Sequence, residues 1–286
     1  MSPTIRPMTP ADVDPAAAAV LVGDWGDRTE FFRFATGSPG CRPFVAESGG
    51  TIVGTGVGAV NGAVGWVGTI FVAREARRHG LGLALTAAVT DALEAAGCRT
   101  LVLVATEQGR PLYERLGFEI QSTYHTLEAP GLSAEDHPPA ASDASGGPTL
   151  RAFRAGDLDA MARLDTAATG EDRRHLLASF ATPASARCLA APDGTLRGFI
   201  VRAPWGGGAT IAPDPDDAVR ILQARRHAAG PDRLVRAGVL AENVVGLRRL
   251  GSIGWTEAWS APRLARGVPL DWHPEAIWGQ FSHALG

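Results

Sequence analysis

Two halves of this 286-residue sequence repeat each other in order, which restricts the chain to an architecture built twice. Ile5-Arg6 followed by Asp12-Val13-Asp14 recurs as Leu150-Arg151 followed by Asp157-Leu158-Asp159, at an offset of 145. Phe44-Val45-Ala46 with Gly50-Thr51-Ile52-Val53-Gly54 recurs as Cys188-Leu189-Ala190 with Gly194-Thr195-Leu196-Arg197-Gly198, at an offset of 144. Thr106, Tyr113, Gly117 and Phe118 correspond to Asn243, Leu250, Gly254 and Trp255, at an offset of 137. Between the halves, residues 128–148 are rich in Pro, Ala, Ser, Asp and Gly without apolar periodicity, the composition of a linker. The expected division is a first domain over 1–128, a linker over 129–148 and a second domain over 149–286.

The first half carries the more telling local pattern. An apolar strand over residues 66–72 runs into Arg77-Arg78-His79-Gly80-Leu81-Gly82 and then a helix. Gly80 and Gly82 let backbone N–H groups approach an anion, and the helix aims its unsatisfied donors and positive dipole end at the same place. Leu81, Leu85, Ala88, Val89, Ala92 and Leu93 recur at helical spacing, with Gly97 placed to end the helix in a left-handed conformation. The apolar run Leu101-Val102-Leu103-Val104 suits a strand covered on both faces, reached by a helical crossover. Pro111 then opens, and Gly117 closes, a short helix carrying Tyr113.

The pattern Val72-x4-Arg77-x2-Gly80-x-Gly82, followed by Thr106-Glu107-Gln108-Gly109-Arg110-Pro111-Leu112-Tyr113-Glu114-Arg115-Leu116-Gly117-Phe118, resembles the two motifs of the GNAT N-acetyltransferase superfamily. Arg74 stands where a proline is usual and Thr106 where an asparagine often is. The resemblance implies an α/β (α+β) fold of two GNAT-like domains, each a mixed, mostly antiparallel central sheet flanked by helices. It implies acetyl-CoA as co-substrate, held by Phe71, Val72, Arg77, Arg78, His79, Gly80, Leu81, Gly82, Thr106, Gly109 and Tyr113. The implied reaction is transfer of the acetyl group to a primary amine, of a small molecule, by direct attack in a ternary complex. A non-catalytic acyl-CoA sensor and an acetyltransferase of protein lysines or N-termini are the alternatives.

Such a transfer needs a free amine, a donor for the developing oxyanion and a proton for the departing thiolate. The resemblance assigns the donor to the Val72 backbone N–H and makes Tyr113 the candidate acid, against a purely packing role for that ring. For the general base, the available carboxylates are Asp24, Asp27, Glu30 and Glu47, with Glu30 preferred because the second helical segment borders the acceptor in this superfamily; a water chain is the alternative. Trp25, Asp27 and Trp66 are the expected acceptor contacts, while Phe31 and Phe32 read as core. Residues 274–285 place Ile277, Trp278, Phe281 and Leu285 on one helical face, expected as a packed terminal helix or a homodimer contact.

The second half is expected to have lost this site. Where the first has arginines and glycines, it reads Ile211-Ala212-Pro213-Asp214-Pro215-Asp216-Asp217 before a helix-like run, and aspartates there would repel a pyrophosphate. Leu250 replaces the tyrosine. Together with Asp165-x4-Gly170-x-Asp172-Arg173, the pattern resembles bacterial tandem GNAT proteins with a divergent C-terminal domain.

Other classes are disfavoured. A net charge of −3 gives no reason to expect nucleic acid or a membrane surface as partner. Cys41, Cys98 and Cys188 have no metal or redox spacing and read as free thiols of a cytoplasmic protein, and no metal site is expected. Gly54-Thr55-Gly56-Val57-Gly58-Ala59 superficially resembles a dinucleotide fingerprint, but Asn61-Gly62 marks a hairpin into another strand instead of a helix.

Overall fold

A computed structural model describes residues 3–133, 135–136 and 147–286; residues 137–146 of the expected linker lie outside the described residues. The chain divides into two compact units. The first holds the chain up to Ile120 together with Leu264–Pro269 and Ser282–Gly286, and the second holds Gln121–Arg263 and Leu270–Phe281.

The first unit runs β1 (Thr4–Pro7), α1 (Val13–Val22), α2 (Thr29–Gly37), β2 (Cys41–Ser48), β3 (Thr51–Asn61), β4 (Val64–Val72), α3 (Leu81–Ala95), β5 (Thr100–Val104) and α4 (Arg110–Arg115). Its sheet is ordered β1-β2-β3-β4-β5, antiparallel except for the parallel β4–β5 pair that α3 connects. The Asn61-Gly62 hairpin forms as its sequence predicts, with Asn61 opposite Val64 and Gly62 at φ +69°. The alternate glycines of β3 make room for α3. A Cβ on Gly54 would lie 2.8 Å from Leu85, on Gly56 3.0 Å from Val89, and on Gly58 3.1 Å from Leu93. The fingerprint-like run is therefore a groove that lets the helix sit close to the sheet.

The second unit repeats this order: β7 (Thr149–Ala152), α5 (Leu158–Thr169), α6 (Arg174–Phe180), β8 (Ala186–Ala190), β9 (Leu196–Arg202), β10 (Gly208–Ile211), α7 (Pro215–Ala229), β11 (Leu234–Leu240), α8 (Val244–Ser252) and β12 (Thr256–Gly267). A last strand, β13 (Ile277–Gly279), follows, and one sheet is ordered β13-β10-β9-β8-β7. Bulges mark both copies: the register slips after Gly54 pairs with Ala46, and again after Gly198 pairs with Leu189. This pairing equates Ala46 with Leu189, one residue away from the apparent sequence match to Ala190.

The units do not divide at residue 128. The strand after α4, β6 (Glu119–Pro130), leaves the first unit at Ile120 and pairs antiparallel with β11, from Tyr124 opposite Leu240 to Pro130 opposite Leu234. Leu127 and Ala129 join Val235, Ala237 and Trp278 in the second unit's core. In return, the segment after β12 serves the first unit: Val268 N–H bonds Arg99 O at 3.1 Å, and Thr100 Oγ1 donates to Val268 O at 2.5 Å.

Residues 274–285 are not a helix. A single 3-10 turn over Pro274–Ala276 leads into β13, which pairs with β10. Residues 276–281 are buried without interruption, and such a short, fully buried run has no exposed face from which periodicity could tell helix from strand. Among the described residues, no helix is long and apolar enough to cross a membrane. The three cysteines are buried free thiols; burial pushes Cys41 up to about 11 and Cys188 to about 12.

One anchor recurs in both copies. Arg6 donates two hydrogen bonds of 2.8 Å to Asp12, and Arg151 two of 2.7 Å to Asp157. Each aspartate also accepts a backbone N–H three residues earlier, from Thr9 and Arg154 respectively. The arginine is the main reason each carboxyl is held below its usual range. Asp12→Ala and Asp157→Ala are each expected to cost about 1–3 kcal/mol in chemical denaturation. Because the folded-state values are depressed, this stability is present above the unfolded carboxyl value near 4 and is lost as pH falls below it.

Candidate active site

The site begins where β4 and β5 part. Their parallel ladder covers Val64–Thr100, Gly65–Leu101 and Trp66–Val102, while β4 itself continues to Val72. A bulge within this free stretch sets Thr69 at φ +53°, with its carbonyl accepting Thr55 Oγ1 at 2.9 Å. Ala73 N–H bonds Val53 O on β3 at 2.8 Å. Because successive amides of a strand point to opposite edges, Val72 N–H faces away from β3, toward the edge the ladder has left.

The Arg77–Gly82 loop then turns the chain into α3. Arg78 and Gly80 take left-handed conformations, φ +67° and +79°. The first intrahelical bond runs from Ala84 N–H to Gly80 O, so the N–H groups of Leu81, Gly82 and Leu83 have no acceptor within the helix. Arg77, Arg78, His79 and Gly80 are exposed, but Arg77 Nε donates to Val72 O at 2.9 Å, so part of its guanidinium fixes the turn. A Cβ on Gly82 would lie 3.3 Å from Leu112 of α4 and 3.8 Å from Val72. The loop, the end of β4 and α4 thus converge on one glycine.

Tyr113 extends the same surface. Its ring meets Phe118 edge-on at 6.2 Å, burial pushes the hydroxyl up to about 12, and that hydroxyl has no hydrogen-bond partner among the described residues. Thr106 and Gly109 order its helix: Gly109 N–H donates to Thr106 O at 2.9 Å and to Thr106 Oγ1 at 3.2 Å. A Cβ on Gly109 would lie 3.3 Å from Tyr113.

On the acceptor side, the loop joining α1 to α2 rests on Phe71. Trp25 packs edge-on against that ring at 5.8 Å, and any side chain on Gly23 would overlap it. Asp27 is exposed, and its Oδ1 accepts Thr29 N–H at 2.8 Å and Thr29 Oγ1 at 2.7 Å, bonds that lower its pKa. Glu30 is exposed and paired with Arg33, and Glu47 is paired with Arg6 at 2.8 Å. Asp24 is exposed at φ +62°. Trp66 is fully buried within β4, so it offers no surface to an acceptor and is a core residue, as are Phe31 and Phe32. Arg28, which sequence reasoning passed over, is half-buried at the start of α2. Its signal was the match of Asp27-Arg28 to Asp172-Arg173 at the offset of 145.

The matching features of the second unit are closed. Asp214 accepts the N–H groups of Asp216 and Asp217 at the start of α7, and Asp217 pairs with Arg197 at 2.6 Å. The edge of β10 is taken by the chain around β13: Ala212 N–H bonds Ala276 O at 3.0 Å, Gly208 N–H bonds Gln280 O at 2.9 Å, and Trp278 Nε1 donates to Ala212 O at 3.0 Å. Leu250 is fully buried, and Asn243 caps α8 through Gly246 N–H.

Open donors on α3, a glycine cradle and exposed arginines fit a phosphorylated cofactor in the first unit. Comparison with known proteins gives the following similarities. Residues 14–118 match the model of the acetyltransferase (GNAT) family. The uncharacterized N-acetyltransferase YitH of Bacillus subtilis is 31% identical over 191 residues, 62% of this chain and 61% of that protein, so the chain spans about three fifths of this curated relative. The fold is that of a candidate acetyltransferase of Pyrococcus horikoshii, with a TM-score of 0.79, 20% identity and coverage of 100% of this chain and 96% of that one. A tandem GNAT protein from the clavulanic acid biosynthesis pathway gives a TM-score of 0.59 at 15% identity, covering 94% of this chain and 100% of that one.

Proposed function

We propose that the chain, whose residues 14–118 match the acetyltransferase (GNAT) family model, transfers the acetyl group of acetyl-CoA to the primary amine of a small molecule, in the first unit alone. The observation that carries the reading is the meeting of three features at Gly82: the open amides of α3, the freed end of β4 and the helix of Tyr113. The bound co-substrate supplies a thioester carbonyl and a thiolate leaving group. Leu81, Gly82 and Leu83 N–H, with Arg78 and His79 beside them, hold its pyrophosphate. Val72 N–H donates to the carbonyl oxygen as charge gathers there.

The new N–C bond forms as the C–S bond breaks, and Tyr113 Oη gives its proton to the sulfur. With its pKa pushed up to about 12, Tyr113 keeps that proton at neutral pH and is in the form an acid requires. We assign removal of the amine proton to water in preference to Glu30, whose carboxylate is held by Arg33. Trp25, held edge-on against the buried Phe71 ring, supplies apolar surface for the acceptor's body. The second unit is proposed to be a divergent copy without a cofactor site, since Asp214 occupies its helix N-terminus and β13 the edge of β10.

The test is calorimetric titration of the full chain with acetyl-CoA, followed by assay of thiol release over a panel of amines. One site per chain with turnover on small amines is expected. Binding without turnover would favour a sensor, and turnover on peptides alone a protein acetyltransferase. Tyr113→Phe is expected to lower kcat about 100-fold while leaving acetyl-CoA affinity within about threefold. Equal losses in both would make the ring a packing element.

A further inference from the structure

The two copies of the fold treat one arginine differently. Arg28 and Arg173 both stand immediately before the second helix of their copies, with φ and ψ of −120° and 10° against −102° and 17°. Both carbonyls accept a helical N–H, from Phe32 and Leu177. The buried faces agree at the same offset, Phe31, Phe32 and Ala35 against Leu176, Leu177 and Phe180. In the second unit Arg173 is spoken for. Its Nε and one terminal nitrogen donate to Asp165 Oδ2 and Oδ1 at 2.9 and 2.6 Å, with both side chains only 1% exposed. In the first unit the position of Asp165 is taken by Val20, also fully buried.

Arg28 therefore keeps the guanidinium but lacks its carboxylate. Neither neighbouring carboxylate supplies one: Asp27 is bound by Thr29 and Glu30 by Arg33. Arg28 forms no ion pair among the described residues, and burial lowers its pKa, with Asp27 offsetting this only in part. A half-buried guanidinium without a partner is costly, and its planar fork suits a carboxylate taken side-on, as Arg173 takes Asp165.

The position of Arg28 is as specific as its state. Its loop rests on Phe71 through Gly23 and Trp25. Its charge acts on buried His283, and Ala284 beside it packs against Gly68, the residue before the Thr69 bulge. Arg28 thus ends the loop that rests on Phe71, in the stretch of β4 where acyl transfer is proposed. We propose that Arg28 binds a carboxylate of the acceptor, so that the amine acetylated by this chain belongs to an amino acid or a related amino-carboxylate. The proposal rests on the acyl-transfer reading above and deepens it to a substrate class.

The experiment pairs acceptors that differ only in the anion, for example phenylalanine, phenylalaninamide and phenethylamine, with several other side chains in the same three forms. Thiol release by the full chain is measured for the unaltered protein, Arg28→Gln and Arg28→Lys. The acids are expected to be preferred about 10- to 100-fold in kcat/KM, through KM, with Arg28→Gln erasing the preference and sparing the amides. Arg28→Lys should recover only part of it.

A second variant tests the same idea from inside. Val20→Asp, with its fold checked by circular dichroism and thermal melting, should supply Arg28 with the carboxylate Asp165 gives Arg173, and should abolish the preference likewise. Calorimetric binding of N-acetylphenylalanine and its amide in the presence of CoA separates the two claims. Acid-selective binding that Arg28→Gln removes, without turnover of any amine, would sustain the receptor and sink the transfer reading. Turnover with no acid preference, or equal loss on acids and amides in Arg28→Gln, would overturn the receptor alone. Neither binding nor turnover would overturn both.

Discussion

Replacement of Gly82 by tryptophan is expected to abolish acetyl-CoA binding, raising Kd at least about 100-fold, while leaving the circular dichroism spectrum and thermal melt unchanged. The argument is steric. A Cβ at this position already lies 3.3 Å from Leu112 and 3.8 Å from Val72, so an indole must fill the space between α3, α4 and the end of β4. The N–H groups of residues 81–83, which have no helical acceptor, begin the same helix, and an indole carries nothing to satisfy a pyrophosphate. Gly82→Ala is the graded control, since its one added carbon meets only the flexible end of Leu112 and should weaken binding by less than about tenfold. Unchanged affinity in the tryptophan variant would move the cofactor away from α3. Loss of binding with loss of the melting transition would make Gly82 a packing residue instead.

Asp165→Ala is expected to cost about 3–5 kcal/mol of the second unit's stability, because it leaves the Arg173 guanidinium in the interior without its bidentate partner. Phe281, whose ring lies 5.6 Å from that guanidinium, and the charge of Glu171 can offset only part of the loss. The double variant Asp165→Ala/Arg173→Met should recover most of it, since removing both charges removes the desolvation cost as well. Equilibrium denaturation followed by the tryptophans of the second unit reads the effect. A loss below about 1 kcal/mol would show that Glu171 takes over as partner. The contrast with Arg28 is the informative part: the same guanidinium is a stabilising core element where the fold supplies its anion, and a receptor where it does not.

How much was legible beforehand varied with the physics of each feature. The Arg77–Gly82 turn, α3, the Asn61-Gly62 hairpin and the Tyr113 helix were readable because each depends on glycine, proline or apolar spacing within a few residues. The capping of α7 by Asp214 was readable for the same reason, since one aspartate accepts two N–H groups just ahead of it. The acceptor contacts were less so. Trp66 was placed at the site and lies in the core, because a strand residue's exposure is decided by what covers the sheet and not by its own type. Asp27 and Glu30 are legible as carboxylates near the acceptor-side loop, but their local partners Thr29 and Arg33 show only in the structure.

The sequence by itself determined that the chain is built twice, where its glycine-rich turn into α3 lies and that aspartates stand at the matching helix start in the second copy, since periodicity, turn chemistry and charge at a helix start are local properties. The tertiary structure alone decided which strands complete each unit. Nothing within β6 says that Leu127 and Ala129 will face Val235 and Ala237, or that Val268 will bond Arg99, because ladder partners are chosen by packing between segments far apart in the chain. It also decided which charges are spent. Whether an arginine is a buried strut or an open receptor depends on the residue one helix away, Asp165 in one copy and Val20 in the other, and only the fold brings that residue into reach.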